Sequence, residues 1–153
     1  MSNKVWIVDT SVLCNILSIP NMNQDKAQVL ADFKERIKDE DQFLLPYTVV
    51  IETGNHIGQT SDDRYALAAK FTGLVDQTIK GKAPWKLMKV PNIEKVSQWL
   101  KDFPNSAAQT KGYGDHSIIK EWKEFSSQNQ GLSVEIWSLD SDLAGYQSKS
   151  KVS

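Results

Sequence analysis

Cysteine is almost absent from this chain: Cys14 is the only one in 153 residues. An internal disulfide is thereby excluded, and a lone thiol within "SVLCNIL" reads as a buried, inert core residue in reducing surroundings. Histidine is nearly as scarce. His56 and His116 stand at no metal-ligand spacing from each other or from Cys14, so zinc has no ligand set. Neither sign of charge dominates, because 18 Lys and Arg against 19 Asp and Glu leave a formal net charge of -1. No global positive field marks a nucleic-acid binder, and any phosphate group would have to be met by a local site or a metal. No apolar run approaches the ~20 residues that cross a bilayer, and "MSNKVW" lacks the apolar stretch of a signal peptide. A soluble cytoplasmic protein without a membrane partner is expected. Repeats, low-complexity tracts and linkers are also missing. The expectation is one domain over residues 1–147, followed by a flexible tail over 148–153, "SKSKVS".

What is present is an alternation of strands and helices. "KVWIVDT" is a short β-branched, nearly uninterrupted apolar run, the pattern of a strand covered on both faces. Gln42 to Pro46, Trp85 to Val90 and Val134 to Asp140 read as further strands. Between them, helices are expected from a Ser11 cap through Ile19, and over Asp25 to Lys38 with Val29, Leu30, Phe33 and Ile37 on one face. Thr48 to Gly58 and Ser61 to Gly81 each begin on a capping residue and stop at glycine. Asn92 to Phe103 and Gly114 to Gln128 complete the set, led by Asn92 and Asp115 as caps. Parallel strands need crossover connections, so this order predicts an α/β three-layer α/β/α sandwich with a mainly parallel central sheet of four to five strands. In such sheets ligands sit outside the carboxyl ends of the strands.

Acids fall at that edge. Asp9 closes the first strand, Asp140 closes the last with Asp142 two residues on, and Asp115 follows the "KGYG" loop. Glu52 lies in a helix among Val49, Val50, Ile51 and Ile57, an apolar setting that a solvent-facing glutamate does not need. Each has an ordinary reading as well. Asp9 and Asp115 suit helix N-termini, Asp140 and Asp142 suit a turn, and Glu52 suits the polar margin of an amphipathic helix. The shared edge is what favours a site. Acids gathered without basic partners repel by ~4 kcal/mol per close pair at an effective dielectric near 20, so a cation is expected among them. Hard oxygen ligands select Mg2+ or Mn2+, and such a centre clamps a phosphodiester and activates water for in-line attack.

The set of Asp9 in "VWIVDTSVL", Glu52 in "TVVIETGNHI", Asp115 in "GYGDHSIIKEW" and Asp140 in "WSLDSDL" resembles the PIN-domain nucleases, in particular the VapC-like toxins of toxin-antitoxin modules. The likeness spans nearly the whole chain. It implies a PIN-like fold and a metal-dependent endoribonuclease in which Asp9, Glu52, Asp115 and Asp140 are catalytic ligands of Mg2+ or Mn2+, with Asp142 as an auxiliary acid. It further implies that Thr10 or Ser11 orients Asp9 or a metal-bound water, that Ser138 stands where the family has Thr or Ser, and that RNA, a small antitoxin and a second copy of the chain are partners. The end "YQSKSKVS" leaves little for a final strand, and "TIKGKAPWKLMKV" is an unusual entry to the third.

Other residues receive plainer readings. His116 and His56 are expected to be exposed, since a metal can supply hydroxide without a histidine base. Trp6 and Trp137 fall in central strands and read as core. Trp85, near Lys80, Lys82 and Lys86, is the tryptophan that could meet RNA, with Lys82 and Lys86 as substrate contacts. Asp39 to Asp41 reads as a solvated helix exit. Three other functions compete with the nuclease. An aspartate-based phosphotransfer or dehalogenase enzyme commonly has a second acid two positions after the first, where this chain has Ser11; a signalling receiver needs a late-strand lysine that "WSLDSD" lacks; a catalytically inactive PIN-like scaffold would bind RNA or protein.

Overall fold

The computed structural model describes residues 2–148. Its strands are β1 (Lys4–Val8), β2 (Gln42–Leu45), β3 (Trp85–Leu87), β4 (Ser133–Trp137) and β5 (Gln147–Ser148). The helices are α1 (Thr10–Ile16), α2 (Lys26–Lys38), α3 (Tyr47–Gln59), α4 (Arg64–Ile79), α5 (Ile93–Ala108) and α6 (Tyr113–Gln128). They surround one sheet of order β3-β2-β1-β4-β5, parallel throughout except for β5, which runs antiparallel to β4. The expected α/β architecture with a mainly parallel sheet is present, and the fifth strand forms. Ser148, assigned to the tail from sequence, pairs with Val134 in β5; residues 149–153 of that expected tail lie outside the described residues.

Register sorts the two layers of helices. Trp6, Phe43 and Trp85 are neighbours across β1, β2 and β3, so their side chains share one face of the sheet. Phe33 of α2 packs there, stacked on Trp85 at 5.2 Å and edge-on to Phe43 at 5.0 Å between ring centroids. Leu44 and Lys86 point the other way and meet Phe125 of α6 along a groove. Val5, Ile7, Val8, Val12, Leu13, Leu45, Val49 and Ile118 are completely buried between the layers. Burying such side chains stabilises the fold by ~1.5–3 kcal/mol each.

Several local expectations are corrected by packing. Trp85 is 3% exposed and belongs to the aromatic layer, so it cannot stack on a base; a three-residue edge strand buries it under α2. Leu30 and Ile37 lie outside the buried stripe of α2, which Val29 and Phe33 supply. Asp41 is drawn from the solvated exit of α2 to accept the Trp6 indole N–H at 2.8 Å. Helix α1 is capped by Asp9 rather than Ser11 and stops at Ile16. The first residue of α3 is Tyr47, placing Thr48 inside; α4 starts at Arg64 behind a left-handed Asp63, three residues later than Ser61. Asn92 caps α5 as expected, its Oδ1 accepting from Lys95 N at 2.9 Å, and the helix runs on through Pro104.

The chain order positions the site. From β1 the connections step outward to β2 and β3, then return across the sheet to β4 on the other side of β1. The strand order therefore reverses between β1 and β4, and a crevice opens above their carboxyl ends. Asp9 follows the last residue of β1, and Asp140 comes three residues after the end of β4.

Candidate metal centre

The turn from β1 into α1 fixes Asp9. Its backbone is extended at the N-cap of α1 and its side chain is 4% exposed, so the carboxylate must be satisfied from within. Oδ2 accepts three hydrogen bonds, from Ser138 Oγ at 2.7 Å, Ser11 Oγ at 2.8 Å and Ser11 N at 3.4 Å. Both hydroxyls work twice. Ser11 Oγ accepts from Leu139 N at 3.0 Å, and Ser138 Oγ accepts from Asp140 N at 2.9 Å. The two serines thus lock the β1–α1 turn to the segment after β4. Asp140 Oδ1 in turn accepts from Asp142 N at 2.9 Å, which shapes the turn that presents both acids.

Glu52 approaches from α3. Its Oε1 accepts from Thr10 Oγ1 at 3.2 Å, and the carboxylate lies against the start of α6. A Cβ placed on Gly114 would stand 2.5 Å from Glu52 Oε2, inside any ordinary contact, so only glycine lets the carboxylate rest there. Sequence reasoning passed over Gly114, whose one visible signal was the glycine next to Asp115 in "GYGD". Ser117 Oγ lies 3.1 Å from Thr48 Oγ1 and 2.8 Å from the Gly114 carbonyl, tying the beginnings of α3 and α6 together. Asp115 lies in the first turn of α6 behind Gly112, which takes the cap position expected for Asp115 itself.

The strands, α3 and α6 therefore bring all the predicted acids to one edge. Carboxyl oxygens of Asp115, Asp140 and Asp142 lie within 4.8 Å of one another, a group that could hold a metal ion. Asp142, expected to be auxiliary, belongs to this close trio, whereas Asp9 and Glu52 accept from hydroxyl donors and act on Asp115 through their charge. The carboxyl of Asp115 is pushed up to about 6, by burial first and then by the charges of Asp9, Asp140, Glu52 and Asp142. Glu52 is raised as well, chiefly by burial, with Thr10 opposing and Asp9 adding to the rise. Among the described residues no Lys or Arg takes part in these interactions. Carboxylates that meet no basic partner among the described residues could hold a metal ion through their oxygens. Among the described residues the buried thiol of Cys14 is pushed up to about 12 by burial and Asp9, which keeps it protonated and inert.

The histidine expectation fails for His116. It is 2% exposed, with Nδ1 2.7 Å from Ser106 Oγ and Nε2 2.7 Å from the Trp99 carbonyl, so it clamps α5 to α6. His56 is half-buried in α3. Lys82 and Lys86 are exposed, and Lys86 lines the groove beside β3 rather than the acidic edge.

That groove, about 430 Å³ between β3 and α6, is lined by Leu87, Met88, Val90 and Phe125 and contains none of the predicted acids. Its apolar lining would suit a ligand, but the convergent charged groups lie at the strand ends instead. It does hold Glu121, whose carboxyl is pushed up to about 7 by burial, then by Glu124, with Lys95 opposing; Lys95 is ion-paired with Glu124. The folded state holds this proton more tightly than the unfolded chain. Stability is therefore fullest below the ordinary value of 4.5 and declines as pH rises to about 7. Glu121→Gln is expected to raise the melting temperature at pH 8 and leave it nearly unchanged at pH 4.5; an equal shift at both pH values would contradict the burial effect.

No protein-family model matches the chain, and no curated protein matches its sequence. The arrangement of the acids is what a functional reading has to explain.

Proposed function

We propose that the protein is a metal-dependent endoribonuclease of the PIN-domain kind, the toxin of a toxin-antitoxin module acting in the cytoplasm. The observation that carries the reading is the approach of Asp115, Asp140 and Asp142 to within 4.8 Å, in the crevice that also receives Asp9 and Glu52. Carboxylates held so near one another, with no basic side chain beside them among the described residues, are costly unless a cation is the working partner. Asp115, Asp140 and Asp142 would hold Mg2+ or Mn2+, with Asp9 and Glu52 bounding the site from α1 and α3. Such an ion, when bound, polarises a phosphoryl oxygen and lowers the pKa of water for in-line displacement. The protein's own part is positional. Ser11 and Ser138 fix Asp9 Oδ2, Thr10 fixes Glu52, and the rigid strand ends keep the acids from relaxing apart. Antitoxin binding would cover this crevice, and a second copy of the chain would complete the resting complex.

The test is cleavage of a mixed single-stranded and structured RNA pool by purified protein in Mn2+ or Mg2+, repeated with EDTA. Fragments are expected with metal and none in chelator; cleavage that persists in EDTA refutes the metal mechanism. Expression without a partner is expected to arrest growth, and Asp140→Asn to relieve the arrest.

A further inference from the structure

A cleft of about 250 Å³ opens beside the acids and shares Ser11 and Asp140 with them. Its opposite wall is the loop between α1 and α2. Asn15, 4% exposed, builds that wall: Nδ2 donates to the Ser11 carbonyl at 2.8 Å and Oδ1 accepts from Asp25 N at 3.0 Å. The loop is thereby pinned to the same turn of α1 that orients Asp9. Asn21 holds a left-handed backbone at φ 65°, and its carbonyl accepts from Gln24 Nε2 at 2.7 Å. Asp25 occupies the N-cap position of α2 yet makes no capping bond with its side chain. A carboxylate that forgoes its usual helix-capping role, on the wall of a cleft, is available to a ligand.

The lining decides what can enter. Asp25 and Asp140 both line the cleft and, among the described residues, no Lys or Arg does, so a phosphate is repelled while a neutral group rich in donors is welcome. Met22 and the 44% exposed Leu139 supply apolar surface for a flat ring. A carboxylate accepts two parallel N–H bonds, and the Asn21 amide can donate one beside them. Among the common bases only guanine presents two adjacent donors and then an acceptor along its Watson–Crick edge. Resting on the ribonuclease reading, we propose that this cleft recognises a guanine base next to the scissile phosphate. Asp25 accepts from N1–H and the N2 amino group, Asn21 Nδ2 donates to O6, and the ring lies between Met22 and Leu139.

Two measurements test it. In metal-free buffer, guanosine, inosine and adenosine are titrated against methyl NMR signals of Met22 and Leu139. Guanosine is expected to shift both, inosine, which lacks the N2 amino group, to bind about tenfold more weakly, and Asp25→Asn to remove the difference. Equal response to all three nucleosides, or none, overturns the proposal. In Mn2+, single-stranded RNAs varied at one position are cut by wild type and Asp25→Asn. A preference of about tenfold for guanine beside the cut is expected in wild type, and the four RNAs are expected to be cut at equal rates by the variant. Cleavage without base preference overturns the pocket and leaves the nuclease intact; guanosine-selective binding without any RNA cleavage overturns the nuclease and leaves the pocket.

Discussion

Asp140→Asn and Asp115→Asn are each expected to lower RNA cleavage about a thousandfold or more, with the fold intact. The amide keeps the shape of the carboxylate but removes one negative charge from the trio that would hold the proposed ion and whose oxygens lie within 4.8 Å. A metal centre supplies several kcal/mol of transition-state stabilisation, and every ~1.4 kcal/mol lost is tenfold in rate. Ser138→Ala is expected to act more gently, because it removes one of three bonds to Asp9 Oδ2 and the acceptor of Asp140 N but leaves every acid and both Ser11 bonds in place. His116→Ala is the informative contrast. It strands the buried Trp99 carbonyl and leaves the half-buried Ser106 hydroxyl to water, at a cost of about 1–3 kcal/mol in stability. Activity per folded molecule, measured well below the melting point, is expected to be unchanged. An Asp140→Asn protein that cuts RNA at wild-type rate, beside a folded His116→Ala protein that does not, would remove the acids from the chemistry.

The acids were legible because strand ends are. An apolar β-branched run that stops on Asp9, and another that stops near Asp140, announce the same sheet edge through the parallel architecture alone. Glu52 was legible from its apolar neighbours, though Ile51 beside it turned out 52% exposed. What sequence could not supply was the ranking within the set. Asp142 joins Asp115 and Asp140 because the Asp140 Oδ1 to Asp142 N bond folds the turn back, a contact with no signature beyond two nearby aspartates. Gly114 was unreadable for a related reason: its role is to make room for a carboxylate from a helix far away in the chain.

Trp85 and His116 mark a different failure. Lysines around Trp85 suggested an exposed edge, but register with Phe43 places the indole under Phe33 while the lysines stay in solvent. A three-residue strand carries too few positions for alternation to show which face is buried. His116 follows a helix start, where side chains are usually solvated; the length of α5, which continues past Phe103 to Ala108, brings Ser106 across to cover it. That extension crosses Pro104, and proline ordinarily signals a helix boundary.

Metal is expected to reverse the pH dependence of the protein's stability. In the metal-free state the Asp115 carboxyl is pushed from its ordinary 3.8 up to about 6, by burial and then by its four acidic neighbours. An acid whose proton is held more tightly in the folded state contributes most below its unfolded value, so the Asp115 contribution is fullest under pH 4, is lost as pH rises to about 6 and changes no further above, where Glu121 still adds a slope up to about 7. Asp115→Asn carries no such titration. Its melting temperature in EDTA is expected to exceed that of wild type at pH 7.5, with a flatter profile between pH 4 and 6; Glu52, also raised, keeps part of the slope. Ligation requires the carboxylates deprotonated, so stabilisation by Mn2+ grows across the same window where the apo protein weakens. At a hundredfold excess over its dissociation constant the ion adds about 2.7 kcal/mol, roughly 5 to 10 °C for a chain of this size. Asp115→Asn is expected to keep little of that gain. Melts of both proteins from pH 4 to 8, in EDTA and in Mn2+, separate the alternatives. If wild type melts identically with and without metal while Asp115→Asn melts lower in EDTA, Asp115 serves only the positive end of α6, and the acids share no ion.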